Sequence, residues 1–149
     1  MRVRTKIVAG LTAALATAGG VAAVMPQASA GENCHAGDQL AYCVSVFTNH
    51  GYAAGWARIS DNKGGGDYYV SVSRMSLQKN SGSGWRTVTT IGDYDGMYDY
   101  AEEAKTGHFA CNASQVFRTK VLLTWRKKGS SKHYKSWQYS RTERCYNPS

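Results

Sequence analysis

The pattern that most constrains the fold is a strict alternation of side chains from Phe117 to Arg126. Bulky apolar residues occupy every second position and polar or charged residues occupy most of the others. This period of two is typical of a β-strand with one buried face, because successive side chains of a strand point to opposite sides. We assign the core face to Phe117, Thr119, Val121, Leu123 and Trp125, and the outer face to Arg118, Lys120, Leu122, Thr124 and Arg126.

Shorter segments of the same kind recur about every ten residues between clusters of Gly, Asn and Ser, and no segment shows a sustained helical period. Strands are predicted near 42–47, 54–60, 67–78, 85–91 and 133–140. The apolar positions of 67–78 change parity, which predicts a β-bulge near Arg74. The expected fold is all-β, an antiparallel β-sandwich, with immunoglobulin-like or barrel-like arrangements as alternatives.

One short helical turn is the only helix that the sequence favours. Asp99 and Glu102 have the spacing of a capping box, and Gly107 lies where a helix stop would be. The alternative uses Asp95-Gly96 as a tight turn and makes 97–103 a strand.

The first 30 residues have the pattern of a secretory signal peptide. A positive start at Arg2, Arg4 and Lys6 precedes an Ala-rich apolar stretch and a small-residue cleavage site at 28–30. We therefore expect a signal peptide at 1–30 and one secreted extracellular domain at 31–149, about the commonest domain size.

Four cysteines fall in the expected mature domain, where an oxidising environment favours disulfides. Three pairings are possible, and we favour Cys34–Cys43 with Cys111–Cys145. On loop-closure entropy these bridges contribute about 2.7 and about 3.8 kcal/mol. The immunoglobulin-like alternative, suggested by Cys43, Trp56 and the Phe109-Ala-Cys111 segment, would instead join Cys43 to Cys111.

Charge is distributed unevenly along the chain, whose formal net charge is +8. Asp93 to Glu103 carries five acids and no base, whereas Arg118 to Arg144 carries nine bases and one acid. Aromatic residues are interleaved with these bases. Cations with exposed aromatics suit acidic or phosphate-rich polymers and sugar faces. The candidate binding residues, which we call the basic aromatic hairpin, are Arg118, Lys120, Arg126, Lys127, Lys128, Lys132, Tyr134, Lys135, Trp137 and Tyr139, and the flanking Arg141 and Arg144 add to its charge.

The expected function is therefore a non-catalytic, monomeric binding protein that contacts an anionic polymer, a cell-wall glycan or an acidic protein through this hairpin. One alternative is a small secreted hydrolase of ribonuclease type, for which His108, His133, Glu102 and Glu103 supply acid and base groups without a diagnostic spacing. The other alternative is an enzyme inhibitor. No cofactor is expected, and no cysteine or histidine spacing indicates a metal site. The carboxylates at 93–99 lack the spacing of an EF-hand loop.

Four features also resemble small secreted proteins of high-GC Gram-positive bacteria. They are the leader, the Gly84-Trp85 strand start, the Phe117-Arg118-Thr119-Lys120 segment after Cys111, and the cysteine close to the C-terminus. The resemblance implies secretion but no assigned activity.

Overall fold

The computed structural model describes residues 31–62, 66–93 and 95–146, and these form ten β-strands. The predicted signal peptide lies outside the described residues. No helix long and apolar enough to cross a membrane occurs in the described part of the chain. The strands are β1 (Asn33–Ala36), β2 (Leu40–Asn49), β3 (Tyr52–Asp61), β4 (Tyr68–Asn80), β5 (Trp85–Gly92), β6 (Ala101–Lys105), β7 (Phe109–Ala110), β8 (Val116–Lys127), β9 (His133–Tyr139) and β10 (Glu143–Arg144).

The strands form two five-stranded antiparallel sheets that pack face to face, which confirms the β-sandwich. In the first sheet the order is β1-β2-β3, with β6 and β7 sharing the far edge of β3. In the second sheet β8 and β4 are central, with β5 beside β4 and with β9 and β10 sharing the far edge of β8. Because the sheets are separate, the barrel-like alternative is wrong.

The core lies between the inner faces of the two sheets, and the predicted alternation is confirmed. Phe117, Thr119, Val121 and Leu123 are at most 1% exposed, whereas the intervening residues are partly exposed, apart from Thr124, which is buried at 6%. The predicted bulge is also confirmed, since the register of β4 against β8 shifts between Val72 and Arg74. This shift keeps the apolar residues on both sides of it in the core.

A buried polar contact joins the two sheets at Thr119. Its hydroxyl donates to the Ser45 carbonyl oxygen across the core at 2.7 Å. Gly55 makes room for it, because a Cβ at that position would lie 2.6 Å from the Thr119 Oγ1. The contact fixes the distance of β8 from the first sheet. It thereby fixes the positions of the outward-pointing neighbours Arg118 and Lys120.

Both favoured disulfides are present, Cys34–Cys43 and Cys111–Cys145, and the immunoglobulin-like Cys43–Cys111 bridge is wrong. The physical reason is the direction in which the Cys43 side chain points. Its neighbours Val44 and Val46 point into the core, so Cys43 points outward and meets Cys34 directly opposite on β1. The second bridge holds the C-terminal segment against the core, where Cys145 packs in a cluster with Phe117.

The predicted helical turn at 99–102 is wrong, and the chain forms strand β6 there instead. Two interactions override the capping-box spacing. Residues 101–105 pair with 56–60 of β3. The Glu102 carboxylate accepts the Val72 backbone N–H at 2.7 Å, at the part of the β4 edge that β5 does not cover. The carboxylate therefore satisfies a donor on an open sheet edge.

The pKa values of Glu102 and its neighbour Glu103 are shifted in opposite directions, so the two residues can be compared in a test of stability against pH. Burial raises the pKa of Glu102, and the Val72 N–H offsets only part of this effect. Hydrogen bonds from Trp56 and Lys105 lower the pKa of Glu103. The Glu102 carboxyl thus contributes most stability below the ordinary pKa of 4.5 and loses it as the pH rises. Glu103 contributes above 4.5 and loses its contribution as the pH falls.

We expect Glu102→Gln, whose amide oxygen still accepts from Val72, to gain Tm relative to the wild type as the pH rises from below 4.5 to neutral. The matched Glu103→Gln variant should lose Tm relative to the wild type over the same range. Thermal unfolding at a series of pH values measures both. Two variants that change Tm in the same direction would contradict this assignment.

The disulfides should differ in their effect on stability. Removal of Cys111–Cys145 by a double serine variant should cost about 3.8 kcal/mol, against about 2.7 for Cys34–Cys43, since the longer loop restricts the unfolded chain more. Burial of Cys145 adds to the larger cost, because serine at that site is desolvated. Urea unfolding of the two double variants measures the difference, and equal losses would contradict it.

Candidate basic aromatic face

The outer face of the second sheet brings together six of the ten predicted binding residues. The face is built from β8 and β9 with β4 and β5 alongside, and the alternation of β8 places its charged residues there. The six residues are Arg118, Lys120, Arg126, Lys135, Trp137 and Tyr139.

Cations and aromatic rings interleave on this face in what we call the cation–aromatic ladder, formed by Trp85, Arg118, Tyr139, Lys120 and Trp137. The Arg118 guanidinium carbon lies 4.2 Å from the Trp85 ring centroid and 4.7 Å from that of Tyr139. The Lys120 ammonium lies 4.5 Å from the Trp137 centroid and 5.9 Å from that of Tyr139. These distances are in the range where a ring quadrupole attracts a cation.

Hydrogen bonds with residues of neighbouring strands hold the ladder in place. The Arg118 Nε–H donates to the Gln78 Oε1 at 2.9 Å, which sets the plane of the guanidinium. The Asn33 side-chain amide donates to the Tyr139 backbone carbonyl at 2.8 Å, so strand β1 holds the end of β9. Trp137 and Tyr139 remain 43% and 37% exposed. The ladder is thus both ordered and accessible to a partner.

The other four predicted residues lie away from the ladder. Tyr134 points to the opposite side of β9, where its ring stacks on Trp125 with centroids 6.0 Å apart. The Lys132 ammonium lies over that Tyr134 ring, 4.9 Å from its centroid. Lys127 is exposed at the end of β8. Lys128 forms an ion pair with Asp99 at 2.5 Å, and its ammonium lies 5.0 Å from the ring centroid of Tyr69 at the β4 side of the face. The hairpin is therefore not one continuous surface.

Sequence reasoning missed three contributors to this face, Trp85, Tyr69 and Arg74. Trp85 comes from β5, and Tyr69, which lies 4.8 Å from the Arg126 guanidinium, comes from β4. Arg74 is exposed and lies opposite Leu122. A separate hairpin contributes all three, so only the register of β4 against β8 shows that they join the site. The predicted bulge near Arg74 was the one signal in the sequence that bore on this register.

Cations on this face are not neutralised by acids. Among the described residues the two ion pairs are Lys105–Glu103 and Lys128–Asp99, and neither involves the ladder. The positive potential of Arg118 and Lys120 is therefore available to an outside anion.

Three acids of the negative segment meet at the edge of β4. Carboxylate oxygens of Asp93, Asp95 and Glu102 lie within 4.8 Å of one another. Asp93 accepts from the Ser71 hydroxyl at 2.6 Å and from the backbone N–H groups of residues 95 and 96. Burial acts to raise the pKa of Asp93, but these hydrogen bonds outweigh it and the pKa is lowered. Hydrogen bonds within the protein thus account for this cluster of carboxylates. The cluster lies beside the basic face, at the edge of β4.

A cleft of about 500 Å³ opens on the other side of the β8–β9 pair, between the two sheets. Core residues Ile59 and Leu123 are part of its lining, and a hydrogen bond from the Tyr42 hydroxyl to Gln138 at 3.1 Å crosses its wall. Among the described residues, its lining includes no lysine or arginine. The cleft is therefore unsuited to an anionic polymer, and the candidate site is the outer face.

The two histidines considered for hydrolysis lie on different sheets, whereas Glu102 and Glu103 belong to β6 of the first sheet. The His108 ring lies beside Tyr52 of the first sheet, with centroids 6.3 Å apart. His133 belongs to β9 of the second sheet, opposite Arg126. Glu102 is engaged at the edge of β4. His108 and His133 therefore do not lie together as the acid and base of a ribonuclease-type reaction.

No known family model matches this chain, and no curated protein matches its sequence.

The ladder predicts a chemical shift that NMR can measure in solution. A cation over a ring face is shielded by the ring, so the side-chain ε-protons of Lys120 should resonate upfield of those of an exposed lysine such as Lys135. Trp137→Leu should move the Lys120 resonance toward the ordinary lysine position and leave Lys135 unchanged. Proton–carbon correlation NMR measures this shift, and a Lys120 resonance already at the ordinary position in the wild type would contradict the ladder.

Proposed function

We propose that this protein is a secreted, non-catalytic binding protein whose outer β8–β9 face contacts an anionic polymer. The observation that carries the proposal is the ladder, in which Arg118 and Lys120 are held between aromatic rings without an acidic partner. A pre-organised cation loses less conformational entropy on binding than a free lysine or arginine side chain, which favours affinity.

The aromatic contacts also support a role for this face beyond solubility. Exposed charges on a strand deter edge aggregation wherever they point. Here the cations instead converge on rings, with Gln78 orienting Arg118. Such convergence is expected of a contact surface, because solubility requires no fixed geometry.

Secretion is part of the proposal. Two disulfides are compatible with an extracellular protein, because such bonds persist in oxidising compartments. The pattern of the first 30 residues supports the same conclusion.

A heparin dodecasaccharide is a suitable generic polyanion for the test. The double variant Arg118→Gln/Lys120→Gln should bind it about tenfold more weakly than the wild type, since each lost charge contact costs about 0.7 kcal/mol. Affinity of the wild type should fall steeply with added salt, because counterions are released on binding. Isothermal titration at several salt concentrations measures both effects.

A matched control removes the same charge from the other sheet. Arg58 and Lys105 lie on the outer side of the first sheet, so Arg58→Gln/Lys105→Gln should leave heparin affinity nearly unchanged. Equal weakening by the two double variants would show attraction by net charge alone and would overturn the assignment of the face. Absence of salt-dependent binding in the wild type would overturn the proposal as a whole.

A further inference from the structure

Along the basic face, every outward position of β8, which we call a rung, has a cation on β8 itself or opposite it on a neighbouring strand. The outward positions of β8 are 118, 120, 122, 124 and 126, each two residues from the next. Arg118, Lys120 and Arg126 fill three of these rungs themselves. Arg74 on β4 lies opposite Leu122, and Lys135 on β9 lies opposite Thr124. We call these five residues the cation row.

The outward positions of β8 repeat at a specific length. Six covalent bonds join the Cα atoms of Arg118 and Lys120, and an extended strand spans about 6.7 Å over two residues. Consecutive phosphorus atoms of a phosphodiester polymer with three backbone carbons per unit are separated by the same number of bonds. An extended chain of that kind therefore repeats its charge at nearly the spacing of the rungs.

Rings on this face already have cations over them. Trp85 and Trp137 each have a cation within 4.5 Å of the ring centroid, and Tyr139 lies between Arg118 and Lys120. Each of these cations closes one face of its ring to stacking by a nucleobase. The aromatic residues therefore hold the cations, and ring edges, which carry partial positive charge, add to the attraction for anions.

Acids on the neighbouring edge limit the path of a polymer. Asp93 accepts from Ser71, and Ser71 lies opposite Thr124 on the β4 side. At this rung the cation, Lys135, lies on the β9 side instead. A polyanion that contacts Arg74 on the β4 side would thus turn toward β9 at this rung, away from the carboxylates.

From these observations we infer that the cation row binds the backbone of a linear phosphodiester polymer, one phosphate to each rung and independently of any base. The inference rests on the proposed function and narrows it to one chemistry. Polyol phosphates and single-stranded nucleic acids share this backbone, so each is represented by its own probe in the experiment.

Three fluorescently labelled probes separate the possibilities by anisotropy titration. One is a twelve-unit oligomer of 1,3-propanediol phosphate, which has the backbone without sugar or base. The second is dodecathymidylate, and the third is a hyaluronate oligomer, which carries one carboxylate per disaccharide. We expect the first two to bind within about threefold of each other and hyaluronate to bind at least about tenfold more weakly.

Salt dependence tests the number of contacts. Five phosphates give a slope of log K against log salt of about −3.5 for a single-stranded polymer, and Arg118→Gln/Lys120→Gln should reduce its magnitude by about 1.4. The Arg58→Gln/Lys105→Gln control should retain the wild-type slope. A slope unaffected by the first double variant would overturn the row as the phosphate site.

Trp137→Leu distinguishes a ring that holds a cation from a ring that stacks on a base. The inference requires equal weakening of propanediol phosphate and thymidylate, because Lys120 loses its support with either ligand. Weakening of thymidylate alone, or thymidylate affinity far above that of the base-free oligomer, would overturn base independence.

Failure of this inference is separable from failure of the proposed function. If heparin binds through the ladder but propanediol phosphate binds no better than hyaluronate, the phosphodiester assignment is overturned and the polyanion proposal survives. If none of the polyanions binds with salt dependence, both are overturned. Thermal unfolding of each variant at the titration temperature ensures that only folded protein is compared.

Discussion

The structure depends most on the packing of β8 against the first sheet. Its inner residues fill the centre of the core, and Thr119 adds a hydroxyl bond to the Ser45 carbonyl in space that Gly55 leaves open. A central strand held this way cannot rotate or slide, because a shift of one residue would expose its apolar side chains. The outer face of β8 gains its regular geometry from this constraint.

The two disulfides extend that order to the ends of the domain. Cys34–Cys43 fastens β1 to β2, and Asn33 of β1 in turn bonds the backbone of Tyr139. Cys111–Cys145 fastens the segment that leads from β10. Crosslinks remote from the basic face thereby stabilise the strands that present it, which is a common solution where a small core supplies limited stability.

Much of the fold was predictable because strands, turns and the bulge near Arg74 depend on local alternation. The disulfide pairing was predictable for a related reason, since the parity of Cys43 against Val44 set its direction. The helical turn at 99–102 failed because local spacing was outweighed by pairing with β3 and by the bond from Val72 to Glu102. Capping-box energies are small compared with a strand's full set of hydrogen bonds and side-chain contacts.

For the candidate site, the sequence by itself placed Arg118 and Lys120 on the outer face of one strand, and its alternation puts Trp137 and Tyr139 together on one face of the next strand. Strand parity is a local property, so no knowledge of distant partners was needed. Only the tertiary structure decided that Trp85 completes the ladder and that Arg74 fills the rung beside Leu122. These residues come from other strands, and their position follows from sheet order and register, which are set by packing across the core and not by neighbours in the chain.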